Sequence, residues 1–163
     1  MLFSNHITEL QEKSFVGLHR VKVLYLNNNL IKFLHPNVFQ PLRKLSKLRL
    51  DWNDLLFLPQ GCLDMIPRLS AVKLQENPWH CDCRMIYLAR WLRSSASHAW
   101  NTELLCKTPE QLEGQSLSLL RFDSLCRGQW AAMVSLSPRL PIRKQRFHAP
   151  RTLFDVLRQH QLV

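Results

Sequence analysis

The stretch "LSKLRLDWNDL", residues 45–55, decides how the rest of the chain is read, because it does not stand alone. "VKVLYLNNNLI" at 21–31 and "LSAVKLQENPW" at 69–79 follow the same pattern, L-x-x-L-x-L-x-x-N-x-L, with Val, Ile and Trp as substitutes. Their asparagines, Asn29, Asn53 and Asn77, are separated by 24 residues, and one further step back reaches Asn5. Leu2 falls in register with Leu26, Leu50 and Leu74. The second half of the unit also recurs, Leu10 and Phe15 matching Leu34 and Phe39 and then Leu58 and Leu63. A helical stripe would recur every 3.6 residues instead. An x-L-x-L-x segment reads as a short strand whose alternate residues enter a core. One such unit cannot bury its apolar side alone, so the units are expected to stack into a parallel solenoid. The asparagine turns the chain out of the strand, and its amide can bond the backbone of adjacent coils as a ladder.

A solenoid exposes its core at its ends and needs a cap. After Asn77 the repeat stops: Pro78-Trp79-His80-Cys81-Asp82-Cys83 replaces it, and proline prevents the turn from recurring. In "MIYLARWLRSS", Met85, Leu88, Trp91 and Leu92 share one helix face that can lie across the open end. Cys106 and Cys126 follow. By spacing alone, four cysteines allow three pairings. Zinc on these four, with His80 or His98, is chemically possible, although structural zinc sites favour C-x2–4-C pairs, and Cys106 and Cys126 are far apart. A redox pair would call for C-x-x-C, and no activating base marks a catalytic thiol. Cys62, the fifth cysteine, reads as a small buried hydrophobe or a free thiol.

Residues 77–126 thus run N-P-W-x-C-x-C, an amphipathic helix, C-x-x-P-x-x-L-x-G and a last Cys. Together with the repeats, this resembles the extracellular leucine-rich repeat proteins with a C-terminal cysteine-rich cap, such as the Slit proteins, the Nogo receptor and peroxidasin. The resemblance covers residues 1–126, with Asn77, Pro78, Trp79, Cys81, Cys83, Trp91, Cys106, Pro109, Leu112, Gly114 and Cys126 in register. It implies an α/β repeat fold, a short leucine-rich repeat solenoid with parallel strands on its concave face and a disulfide-bonded helical cap. It further implies the bonds Cys81–Cys106 and Cys83–Cys126, and a secreted or cell-surface setting. The expected organisation is repeats over 1–76, about three and a half of them, a cap over 77–126, and a basic, proline-containing tail over 127–163 with a short helix near "TLFDVLRQH".

Residues between the core leucines are expected on the concave face, the usual binding surface of a solenoid. They form columns: Tyr25, Arg49 and Lys73 in one, Asn28, Trp52 and Glu76 in another, with Asp51 beside them. Tyr, Trp and Arg are the commonest hot-spot residues, so an extracellular protein ligand is the expected partner. Nothing resembles a catalytic constellation, a phosphate-cradling loop or a cofactor motif, and the seven histidines lie scattered without acidic partners. The chain therefore reads as non-enzymatic, without metal or cofactor.

The net charge is +10, and it is uneven. Residues 127–163 hold Arg127, Arg139, Arg143, Lys144, Arg146, Arg151 and Arg158 against Asp155 alone, a net +6. A heparin-like polyanion or an anionic membrane surface is the alternative partner, and an intracellular zinc-capped repeat protein is a third reading. Aromatics for base stacking are few near these charges, so nucleic acid is not expected. No apolar run is long enough for a transmembrane helix, and Met1-Leu2-Phe3 leads at once into Ser4-Asn5-His6 without the features of a signal peptide. Set against the resemblance, this reads as an N-terminally truncated form whose membrane contact would run through segments outside it.

Overall fold

Five short strands carry the repeat: β1 (Glu9–Leu10), β2 (Val23–Tyr25), β3 (Phe33–Leu34), β4 (Lys47–Arg49) and β5 (Ala71–Lys73). In this computed structural model residues 1–94 and 103–126 are described, and all belong to one compact unit, Met1–Trp130. The second unit, Ala131–Val163, lies outside the described residues, as does the short helix expected near 152–160.

Strands β2, β4 and β5 form one parallel sheet in which Leu24, Leu48 and Val72 are direct partners, as are Tyr25, Arg49 and Lys73. The register is the sequence interval itself. A slip of one residue would carry Leu24 and Leu48 to the solvent side. Residues 1–5 extend the sheet by another coil, Leu2 N–H donating to Tyr25 O and Ser4 N–H to Asn27 O. A second, two-stranded sheet joins β1 to β3. The recurrence of Leu10 and Leu34 marks it in the sequence, but two-residue strands carry too little alternation to be read as such. Leu24, Leu26, Leu48, Leu50, Val72 and Leu74 are buried. From the other half of each coil come Leu34, Phe39, Leu58 and Leu63, also buried, and the rings of Phe15 and Phe39 stack 6.3 Å apart.

The asparagine ladder is built the same way three times. Asn53 Nδ2 donates to Leu50 O in its own turn and to Leu26 O of the preceding coil, each at 3.0 Å, while its Oδ1 accepts Ile31 N–H at 3.1 Å. Asn29 and Asn77 repeat these contacts on Leu26, Leu2 and Ile7 and on Leu74, Leu50 and Leu55. Asn5 is exposed and bonds only its own turn, at Leu2 O and Phe3 O. One side chain thus satisfies backbone groups that strand pairing leaves over, as burial requires.

The residue before each asparagine is left-handed: Ser4, Asn28, Trp52 and Glu76 all have φ of 55°. This backbone kink swings the asparagine inward while the preceding side chain stays outside. For a non-glycine residue it costs about 1 kcal/mol or more, and a bulky residue such as Trp52 is rarely found there.

Beyond Asn77 the cap closes the core. Trp79 is buried, and its indole N–H donates to Leu74 O at 3.1 Å. A 3₁₀ turn, Cys83–Met85, leads into α1 (Ile86–Arg93). Asp82 caps the turn by accepting Arg84 N–H at 2.8 Å. Met85, Leu88 and Ala89 are fully buried, while Trp91 and Leu92 are half-buried at the cluster's edge. From the same helix, Tyr87 Oη accepts Leu63 N–H at 3.1 Å, tying the cap to the outer arc of the last coil. Burial drives the Tyr87 phenol well above its ordinary pKa, so it stays neutral. Two further turns, Glu110–Leu112 and Leu117–Leu119, fold back onto the cap. Gly114, with φ of +76°, closes the loop between them, its N–H donating to Cys106 O.

Candidate functional site

Arg49 stands at the centre of the concave sheet. Its Nε and Nη2 donate to the two carboxylate oxygens of Asp51 at 3.0 and 2.6 Å, a fork-on-fork pair made possible because residues i and i+2 leave a strand on the same side. Its guanidinium carbon lies 5.8 Å from the Tyr25 ring centroid, within cation–π range. The hydrogen bond to Asp51 raises the Arg49 pKa against the opposing effect of burial, with further support from the charge of Asp51. The side chain is therefore a fixed cation, held by its carboxylate on one side and by a ring on the other.

Asp51 itself has a side chain only 1% exposed. Strand alternation places it on the concave side, but Arg49 covers it. It can influence a ligand only through Arg49. Trp52, Asn28 and Glu76 are exposed in register at the left-handed corner of each coil, Trp52 at 58%. They do not lie on the strands, where the repeat pattern alone would put them, but in the turns just beyond the strand ends. Sequence propensity marks this corner only weakly: among its occupants, Ser4, Asn28, Trp52 and Glu76, there is no glycine, and only Asn28 favours the left-handed region. Lys73 ends the Tyr25–Arg49 column and is half-buried. Val23 adds an exposed apolar position at 43%, which the hot-spot argument passed over.

In the cap, Cys81 is bonded to Cys106 and Cys83 to Cys126, closing sequence separations of 25 and 43 residues. With all four sulfurs in these bonds, none remains as a thiolate for zinc. Among the described residues no group of three His, Cys, Asp or Glu is placed to hold a metal; His98 lies outside them. Cys62 is fully buried with a free thiol, its pKa pushed up to about 12 chiefly by burial. Asp82 is drawn in two directions. Burial raises its pKa, but the side-chain and backbone hydrogen bonds from Arg84 outweigh this and hold it below the ordinary carboxylate value. Arg84 in turn stacks over Phe57 of the last coil at 4.6 Å.

A polypeptide that repeats its strand every 24 residues and stitches each coil to the one before through an asparagine is a leucine-rich repeat solenoid, and the family's model, leucine rich repeat, matches residues 1–55. The fold is that of the leucine-rich repeat proteins whose last coil is closed by a C-terminal cap. It is 37% identical over 100 residues to the human platelet glycoprotein Ib beta chain, a match covering 56% of this chain and 48% of that one. It is 33% identical over 116 residues to mouse SLIT and NTRK-like protein 5, covering 71% of this chain but 11% of that one. The crystal structure of human 5T4, the trophoblast glycoprotein also called Wnt-activated inhibitory factor 1, superposes with a TM-score of 0.66 at 31% identity, over 76% of this chain and 45% of that one. The chain thus spans about half the length of the glycoprotein relatives and much less of the SLIT and NTRK-like protein. These relatives are cell-surface leucine-rich repeat proteins of receptor and adhesion type, not enzymes. No helix among the described residues is long and apolar enough to cross a membrane.

Proposed function

We propose that this chain is the recognition module of a secreted or cell-surface leucine-rich repeat protein and binds a protein ligand through its concave face. Tyr25, Arg49 and Trp52 are the anchors, flanked by Asn28, Lys73 and Glu76. Asp51 acts as the support of Arg49. The organisation that goes with this reading is repeats over 1–76, a disulfide-bonded cap over 77–126 and a separate basic tail over 127–163. The observation that carries it is the preorganised cluster at the middle coil. Arg49 is clamped by Asp51 and Tyr25, and Trp52 is held out beside it on a strained backbone. Groups fixed before binding lose little entropy on binding, and exposed Trp, Tyr and Arg are the residues in which interface energy concentrates. Support for the setting comes from the cell-surface relatives and the two disulfides, which belong to oxidising compartments.

The test is a binding screen of the oxidised chain against an array of purified extracellular domains. It is followed by Trp52→Ser and Arg49→Ala variants that keep the native circular-dichroism spectrum. A ligand whose affinity falls at least tenfold in both variants supports the concave face. A ligand indifferent to both places the site elsewhere.

A further inference from the structure

Between the last coil and the cap lies a cleft of about 290 Å³ that none of the readings above uses. Its floor is the buried ring of Trp79 with Asn77 and the Cys106 half of a disulfide. Carboxylates gather at its mouth. Glu113 is paired with Lys107 at 2.9 Å, while Glu76 and Glu103 form no ion pair among the described residues. Gln75 also lines it, and its Oε1 is buried without a hydrogen-bond partner. A buried amide oxygen left unpartnered is costly and calls for a donor.

We propose that this cleft receives a cationic side chain, an arginine or lysine, of the protein that docks on the concave face. Charge complementarity carries the assignment. The lining holds three carboxylates against one ammonium, which is itself already paired, so the cleft carries a net negative charge in a chain whose total is +10. The partner group must bring both positive charge and N–H donors. A guanidinium does both, its planar fork serving carboxylate oxygens and its inner N–H the Gln75 oxygen. The position fits the concave reading, on which this inference rests, because Glu76 belongs at once to the cleft and to the column of Asn28 and Trp52. The middle coil would hold the partner's apolar and anionic groups, the cleft its basic one.

The experiment uses the oxidised full chain and two acetylated, amidated probe peptides, Gly-Arg-Gly and the same peptide with citrulline, which keeps the shape and loses the charge. Binding is read from the Gln75 side-chain amide and the Trp79 indole N–H by NMR. The expected result is saturable shifts of both signals with the arginine peptide and none with citrulline. Affinity should fall at least fivefold in Glu76→Gln/Glu103→Gln and stay unchanged in the charge-matched Glu9→Gln/Glu12→Gln control at the other end of the solenoid. Equal binding of citrulline, equal loss in the control, or saturation of the same signals by calcium chloride with no arginine effect overturns the proposal. A concave-face ligand that binds normally while the arginine peptide fails overturns the cleft alone, so the two readings fall separately.

Discussion

Replacing Asn53 by alanine tests the ladder most sharply, and the loss can be worked out group by group. The carboxamide serves Ile31 N–H, Leu26 O, Leu50 O and Asp51 O. Three of these keep another partner. Asn29 Nδ2 still donates to Leu26 O, Asn77 Nδ2 to Leu50 O, and Asn28 N–H to Asp51 O. Only the buried Ile31 N–H is orphaned outright. An unsatisfied buried donor costs about 1–3 kcal/mol and each lost second bond about 0.5 kcal/mol, so Asn53→Ala should lose about 3 kcal/mol. In urea, with a slope of about 2 kcal/mol/M, the unfolding midpoint of the oxidised protein should drop by about 1.5 M. Asn5→Ala, whose amide bonds only its own exposed turn, should shift stability by less than about 0.5 kcal/mol. Adding Asn77→Ala to Asn53→Ala strips both amide donors from Leu50 O, so the pair should lose about 1 kcal/mol more than the sum of the singles. Asn53→Asp should be worse than alanine, since its carboxylate would face three carbonyl oxygens. A loss below about 1 kcal/mol for Asn53→Ala, or strict additivity with Asn77→Ala, would mean that the shared carboxamide contacts do not hold neighbouring coils together.

Trp52→Gly removes a left-handed tryptophan that is mostly exposed, so urea titration should find stability unchanged or up to about 1 kcal/mol higher while ligand affinity falls. In the loop-entropy account, removing Cys81–Cys106 as paired serines should cost about 3.5 kcal/mol and removing Cys83–Cys126 about 4 kcal/mol, read as midpoint shifts. The Asp82 pKa is lower folded than unfolded, so its contribution is present above the unfolded value near about 4 and disappears as pH falls through the folded one. Asp82→Asn should therefore flatten the acid limb of the stability profile. Cys62, buried and with a raised pKa, should be inert to a thiol reagent at pH near about 8 until the chain unfolds, and then titrate as a single thiol. On the polyanion reading, retention on heparin should weaken with salt and vanish when residues 127–163 are deleted.

The interval of 24 was legible because its determinants are single-residue demands. Leu24, Leu48 and Leu50 have no alternative to a packed interior, and Asn29, Asn53 and Asn77 each meet hydrogen-bond geometry that no apolar residue can supply. The cap helix was legible for the same reason, through Met85 and Leu88. What stayed hidden depends on neighbours rather than on residue type. Asp51 looks like an accessible carboxylate until Arg49 folds over it. Trp52 gives no sign of a left-handed backbone, a conformation usually announced by glycine or asparagine. The cleft draws Glu76, Glu103 and Glu113 from separate segments, and no spacing rule joins them.

The direction of the asparagine contacts has a consequence for how such a chain can change over generations. Each carboxamide reaches back 22 and 27 residues, to groups that the preceding coil presents in identical positions. A duplicated coil inserted anywhere in the array would find its acceptors waiting and would offer the same set to its successor. An insertion of any other length within the strand and turn would leave the next asparagine facing the wrong atoms. Length is therefore heritable in whole coils, and a solenoid built this way can lengthen its concave face without redesigning its core.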